Sequence, residues 1–469
     1  MSKQQISERH WRMLQSVSRQ SQRLAVFGGV LADETGQTFL RLLDTMARAG
    51  ESNTPDLEEI ASSYTRLFVL LAAEAELYPQ PLVGDAWQNH LLDRLLLHES
   101  VLSRKAQVAG PEDVGLSLLH LAGAELRLLQ ALHSFDSHRL CTTIRDILHE
   151  LDGGESPEWL VPWDELRPLE SGPAPLGAAG VELKRELHDG SDWTSLAGRI
   201  AAYYAQAGSG EFARFRAFRW LHDGQGGHLA GIPVPDPIRL TDLIAYEPER
   251  TLLLQNTEQF LAGYPANNVL LYGDRGTGKS STVKALLNEY AERGLRLIEV
   301  PSQYLPDYPE ITELVRGRRE RFILFVDDLS FDEHETEYRE LKAALEGSLE
   351  ARPDNLLIYA TSNRRHLVQE RFSDRQAAMS DDEIHGQDTA QEKLSLSDRF
   401  GITLTFLAPD QERFLRIVEG LAQQRGLTLA GDELRSRALR WAARHTGRSG
   451  RGARQFIDFL TGEIGLGGF

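Results

Sequence analysis

Residues 267–290 read NNVLLYGDRGTGKSSTVKALLNEY, and this stretch decides the fold. A short apolar run ending at Tyr272 leads into a glycine-rich turn, and the turn opens on a segment with apolar residues at helical spacing. Gly273, Gly278, Lys279 and Ser280 fill the template G-x-x-x-x-G-K-[ST] in the strand-to-helix context it requires. The glycines let backbone N–H groups wrap phosphates, and the helix N-terminus adds its positive dipole end. Lys279 is placed to reach β- and γ-phosphates and Ser280 to ligate Mg²⁺. The candidate nucleotide-binding residues are therefore Gly273, Asp274, Arg275, Gly276, Thr277, Gly278, Lys279, Ser280 and Ser281. The chain carries no Asn-Lys-x-Asp guanine motif, so the expected ligands are ATP and Mg²⁺.

A phosphate cradle alone does not separate a kinase, a switch GTPase and a motor ATPase, so the other strands matter. RFILFVDDLS is an apolar run ending in Asp327 and Asp328. Asp327 is placed to hold the metal through water and Asp328 to polarise an attacking water as general base; the plain alternative is a helix N-cap. The run LRLIEV lies in sequence between cradle and acidic pair, which predicts a neighbour inserted between the two motif strands. NLLIYATSNRR ends a further strand at Asn363, suited to orient the lytic water or, alternatively, to cap a turn. With ITLTFL these make five apolar runs separated by helical segments, which predicts a five-stranded parallel sheet covered on both faces. From about residue 410 onward only helical patterns remain, a small all-α lid behind the α/β core.

Together these residues resemble the AAA+ ATPase superfamily, with Walker A at Gly273 to Ser280, Walker B at Asp327-Asp328 and sensor 1 at Asn363. Asp328 stands where the superfamily usually has Glu. From about residue 236 to 459, through DPIRLTDLIAYE, IYATSNRRHL and LSLSDRFG, the chain resembles a bacterial AAA+ family known only as a domain of unknown function. The resemblance implies an arginine finger at Arg399, a catalytic residue reaching into a neighbouring subunit, with Arg375 in Ser373-Asp374-Arg375 as the competing candidate. It implies sensor 2 at Arg454, beside Arg448 and Arg451, and adenine near Leu243, Ile244 and Tyr246. A homo-oligomeric ring such as a hexamer follows from the finger. Tyr304, in VPSQYLPDYPEI, stands where many unfoldases of the superfamily carry a threading aromatic, although Pro306 and Pro309 fit a rigid turn equally well.

The rest of the chain is helical or linking. Residues 1–150 repeat apolar positions at three- and four-residue spacing, as in RLFVLLAAEAEL and GLSLLHLAGAELRLLQAL, which predicts an all-helical N-terminal domain. Residues 151–235 read as a Gly/Pro-rich linker, anchored at Trp159 and Trp163, followed by a short helical stretch and a second flexible passage, DGQGGHLAGIPVP. The core then spans 236–409 and the lid 410–469. Gly208-Ser209-Gly210-Glu211-Phe212-Ala213 fits a dinucleotide fingerprint but has no strand before it, and so reads as an interhelical turn. Asp381, Asp382, Glu383 and His385 read as a solvated acidic loop.

The 469 residues are enough for about three domains. A hydrophobic share of 41% and a charged share of 26% exclude wholesale disorder. The net charge of −18 argues against a broadly basic nucleic-acid surface. Cys141, alone, closes no intramolecular disulfide, and no window approaches the roughly 18 apolar residues of a spanning helix, so a cytoplasmic protein without membrane association is expected. The expected function is an ATPase that remodels a protein partner recruited by the helical N-terminal domain. The alternatives are a nucleotide-gated binding module with little hydrolysis, or a DNA-associated ATPase resembling helicase loaders.

Overall fold

The computed structural model describes residues 14–21, 23–49, 56–76, 82–152, 157–166, 176–190, 192–224, 226–329, 353–363, 400–445 and 447–466. They form two compact units, Met1–Phe215 and Arg216–Phe469.

The first unit is helical, including Glu34–Ala49, Leu57–Glu76, Ala86–Leu96, Leu116–His133 and Ser137–Asp152. Its core is leucine-rich and set by a few large rings: Trp87 stacks on Phe39 with centroids 3.6 Å apart and donates from Nε1 to the Leu132 carbonyl at 3.1 Å. Indole burial with the N–H satisfied combines a large apolar contribution with a fixed orientation. Asp85 caps the helix Ala86–Leu96 and also accepts from Ser137 N at 2.6 Å and Trp163 Nε1 at 3.1 Å. Trp163 thus pins the Pro-rich segment, while Trp159 meets the ring of Tyr64 at 5.7 Å. Cys141 is buried against the Tyr64 hydroxyl, at 3.0 Å. The glycine run at Gly208 is a turn: Gly208 and Gly210 take φ of +84° and +69°, and Gly210 N donates to Leu97 O at 2.7 Å.

The second unit is built on a seven-stranded sheet: β1 (Ala217–Asp223), β2 (Gly226–Gly231), β3 (Val269–Gly273), β4 (Leu295–Glu299), β5 (Arg321–Val326), β6 (Leu356–Ser362) and β7 (Ile402–Phe406). The order is β2-β1-β4-β5-β6-β3-β7, parallel throughout except for the β1–β2 pair. The five expected strands are β3 to β7. Every residue of β3 and β6 is buried, as both-faced cover demands, and their runs are apolar up to the polar tip of β6 at Thr361 and Ser362. The cradle strand β3 and the acidic strand β5 are separated by one strand, and that strand is β6; LRLIEV, as β4, lies on the far side of β5.

Two strands are a correction to the five-stranded expectation. The passages read as a helix end and a flexible run fold as the hairpin β1–β2, which extends the sheet beyond β4. One of its glycines marks close packing rather than freedom: a Cβ on Gly227 would lie 2.7 Å from Cε2 of Trp220. Trp220 Nε1 in turn donates to Asp307 Oδ2 at 2.8 Å, and His222 stacks on Tyr304 with centroids 5.6 Å apart. The turn Ser302–Asp307 after β4 is therefore held against the hairpin, and the Tyr304 ring packs inward on it.

Helices Gln411–Gln424, Gly431–Arg444 and Gly450–Gly465 make the lid, and the helix expected from the run YRELKAALEGSL, 338–349, lies outside the described residues.

Candidate nucleotide-binding site

The loop from β3 into helix Lys279–Tyr290 is shaped by three glycines of positive φ, Gly273 (+136°), Gly276 (+74°) and Gly278 (+96°). Gly273 lies hard against β7, where a Cβ would fall 2.6 Å from the Phe406 carbonyl carbon and closer still to its oxygen. Asp274 staples the loop to the same strand: its N donates to Phe406 O at 2.9 Å and its Oδ2 accepts from Ala408 N at 2.6 Å. No side chain caps the helix at Gly278, so its first-turn N–H groups have no side-chain acceptor and suit an anion. The cavity beside it, about 550 Å³, is lined by Arg275, Gly276, Thr277, Gly278, Lys279, Ser280 and Ser281. Gly273 and Asp274 shape the loop without lining the cavity.

Lys279 Nζ donates to Gly273 O at 3.0 Å, Asp274 O at 2.8 Å and Asn363 Oδ1 at 2.8 Å. Burial pulls this lysine down to about 8, although the carboxylates of Asp274, Asp328 and Asp327 oppose the shift. The ammonium form therefore costs the fold stability below about pH 8, and that cost lifts as pH rises toward the ordinary lysine value. Phosphate affinity has the opposite sign, because it needs the ammonium. Nucleotide affinity is expected to fall by about tenfold per pH unit above pH 8, read by titrating a fluorescent ATP analogue from pH 7.5 to 9.5. A flat profile would count against Lys279 as the phosphate cation.

The acidic pair stands across the cavity from the loop. Ser280 Oγ donates to Asp327 Oδ1 at 2.6 Å, and the amide of Asn363 donates from Nδ2 to Asp328 Oδ1. Asn363 thus bridges Lys279 and Asp328 with its two amide atoms. Asp328 has φ +55°, a left-handed backbone that Asp tolerates better than most residues. A hydroxyl beside an exposed carboxylate, with a second carboxylate next to it, is a hard oxygen donor set of the kind Mg²⁺ takes when phosphates complete its shell. Ser280 and Asp327 are the residues that fit it.

At the other end of the cavity, Asp242, Leu243, Ile244 and Tyr246 face Ile417 and Leu421 of the lid. Ala245 and Tyr246 take φ of +69° and +61°, and the Tyr246 hydroxyl donates to Leu407 O at 2.5 Å beneath the guanidinium of Arg413. A Cβ on Gly420 would press into Ile244, so the lid helix packs directly on this segment. The helix Gly450–Gly465 begins at the phosphate end, capped by Ser449, and Arg451 N donates to Gly276 O at 3.1 Å. Arg451 lines the cavity as well as Arg454; Arg448 does not. Asp242, Ile417 and Leu421 have no motif to announce them and come to the site through tertiary packing. Arg399, Arg375 and the acidic stretch at 381–385 lie outside the described residues.

The strand order, the cradle at the end of β3, the acids at the end of β5 and a polar side chain on the strand between them define a P-loop NTPase of the AAA+ superfamily. Within it, the chain belongs to the family described as protein of unknown function DUF815, whose profile matches residues 213–464, more than half of the chain. No curated protein matches the chain. Among solved structures, two point mutants of RuvB from Thermotoga maritima are similar at 17% identity and TM-score 0.34, over 49% of this chain and 66% of theirs, just short of two thirds. The replication initiator DnaA, titled as bound to AMPPCP and single-stranded DNA, matches at 19% identity and TM-score 0.32 over 50% of this chain and 66% of its own. At those scores neither neighbour carries an activity across.

Proposed function

We propose that the chain is an ATP hydrolase that works as a homo-oligomer and uses turnover to remodel a protein partner recruited by its helical N-terminal unit. The observation that carries the reading is Asn363, which touches both the phosphate-binding lysine and the candidate general base, so that nucleotide occupancy and base orientation share one amide. Ser280 and Asp327 would hold Mg²⁺, which neutralises the charge of the β- and γ-phosphates when bound. Lys279 clamps the γ-phosphate, Asp328 takes the proton of the attacking water, and Asn363 keeps that water in line. Arg399 supplies a cation from the neighbouring copy, and Arg454 and Arg451 join the lid to the phosphates.

A protein partner fits better than DNA. The net charge is −18, and three lid arginines are paired with acids: Arg425 with Asp458, Arg435 with Glu419, and Arg437 with Glu463. Turnover per subunit is expected to rise with protein concentration, and Arg399→Ala to abolish turnover while ATP affinity stays within about threefold. Turnover independent of concentration in a strictly monomeric protein would overturn the oligomeric reading. No turnover at any concentration, with ATP bound, would favour a nucleotide-gated module instead.

A further inference from the structure

The tip of β6 carries a second polar side chain whose geometry bears on the acidic pair. Thr361 is 1% exposed, and its hydroxyl is directed at the acidic turn that follows β5. Oγ1 donates its one proton to Asp327 Oδ1 at 2.5 Å and accepts from Asp328 N at 2.9 Å. The Thr361 carbonyl accepts from Leu329 N at 2.8 Å, and Ser362 Oγ donates to Leu329 O at 2.9 Å, so three successive residues of the acidic turn are tied to β6. Asp327 Oδ1 takes two hydroxyl protons, from Ser280 and Thr361, which fixes the carboxylate between the cradle helix and β6. Asp328 sits at φ +55°, a conformation that persists only where neighbouring contacts over-determine it, and the bond from its N to Thr361 is one such contact.

We infer that Thr361 is the positioning residue of this site: one hydroxyl sets both the carboxylate that takes the metal and the backbone turn that aims the base. The inference rests on the nucleotide reading above. Replacing the hydroxyl with the isosteric methyl of valine keeps the packing but leaves Asp328 N–H and Asp327 Oδ1 each short of a partner, and a hydrogen bond to a charged group is among the stronger ones. The effect should fall on metal rather than on nucleotide as such, because the bonds of the Thr361 hydroxyl run to Asp327 and Asp328 while its backbone pairing with Leu271 of the cradle strand survives the substitution.

The test titrates Mg²⁺ into full-length protein with a fluorescent ATP analogue, and repeats the measurement in EDTA. Thr361→Val is expected to raise the half-saturating Mg²⁺ concentration by about tenfold or more, with metal-free affinity within about twofold of wild type. Thr361→Ser, which keeps the hydroxyl, is expected to bring the Mg²⁺ requirement back to within about threefold. An unchanged Mg²⁺ requirement in Thr361→Val overturns the inference, as does a parallel fall of metal-free and metal-dependent affinity, the signature of a merely structural threonine. Should the valine variant fail to fold, Thr361→Ala carries the same expectation and the same overturning results. Wild-type protein without affinity for ATP overturns the nucleotide reading itself, and this inference with it.

Discussion

Asp328→Asn is expected to lower steady-state ATP turnover by about 10² to 10⁴-fold, the range that a positioned general base contributes, while ATP affinity stays within about threefold of wild type. The substitution is nearly isosteric, and Asn tolerates the left-handed backbone at φ +55° as well as Asp does, so folding does not confound the result. It also retains an amide oxygen for Asn363 Nδ2. The companion variant is more telling. Asp328→Glu restores the acid that the AAA+ superfamily usually carries here, yet turnover is expected to fall by about tenfold rather than rise. Glutamate lacks the short side chain that lets Asp settle in the left-handed region, at a cost of roughly 1–2 kcal/mol for an ordinary residue. Its extra methylene also pushes the carboxylate into the Asn363 amide. Activity of Asp328→Glu at or above wild type, measured beside the melting temperature of both variants, would show that the backbone does not dictate the shorter acid.

The largest expected loss of stability comes from Gly273→Ala. The new Cβ meets backbone, the Phe406 carbonyl, so relief requires β3 and β7 to part, and the positive φ adds its own strain. A cost above about 4 kcal/mol is expected, with the melting temperature of the nucleotide-binding unit down by about 8 to 16 °C. Nucleotide binding should vanish together with stability, because Gly273 O also accepts from Lys279 Nζ. Gly294→Ala is the control: it shares a positive φ, +92°, but its Cβ would meet nothing within 4 Å. It should cost only about 1–2 kcal/mol, the strain alone. Calorimetric shifts of equal size for the two variants would mean that the contact between β3 and β7 does not carry the difference.

The core was legible in the sequence wherever a local pattern sufficed. The central runs of β3, β5 and β6 are apolar because both faces are covered, with polar residues only at Arg321 and at the tip of β6, and the cradle is written in consecutive residues. The hairpin was not legible, since GGHLAG has the composition of a loop, and only the indole of Trp220 folded over it turns the missing side chains into packing. Thr361 was legible as part of the strand end before Asn363, but its role was not. It follows the buried run LLIYA like any strand residue, and its role exists only because the register that pairs Val326 with Ala360 brings the next residues of β5 and β6 side by side. Ile417 and Leu421 reach the cavity from the lid, well over a hundred residues beyond the segment Asp242 to Tyr246, a juxtaposition that no spacing rule encodes.

The bond from Arg451 N to Gly276 O has a consequence for how tightly a bound molecule is held. Ser449 and Arg451 crowd Gly276 closely enough that a Cβ there would lie 3.3 and 3.2 Å from theirs, so the lid helix and the phosphate loop grip each other directly. A nucleotide that binds better with this contact closed would be coupled to the position of the lid. Thermodynamic reciprocity would then hold: a contact that favours the closed lid raises nucleotide affinity, and the bound nucleotide favours the closed lid by the same factor. A load applied to the lid would then weaken nucleotide binding by the size of that coupling.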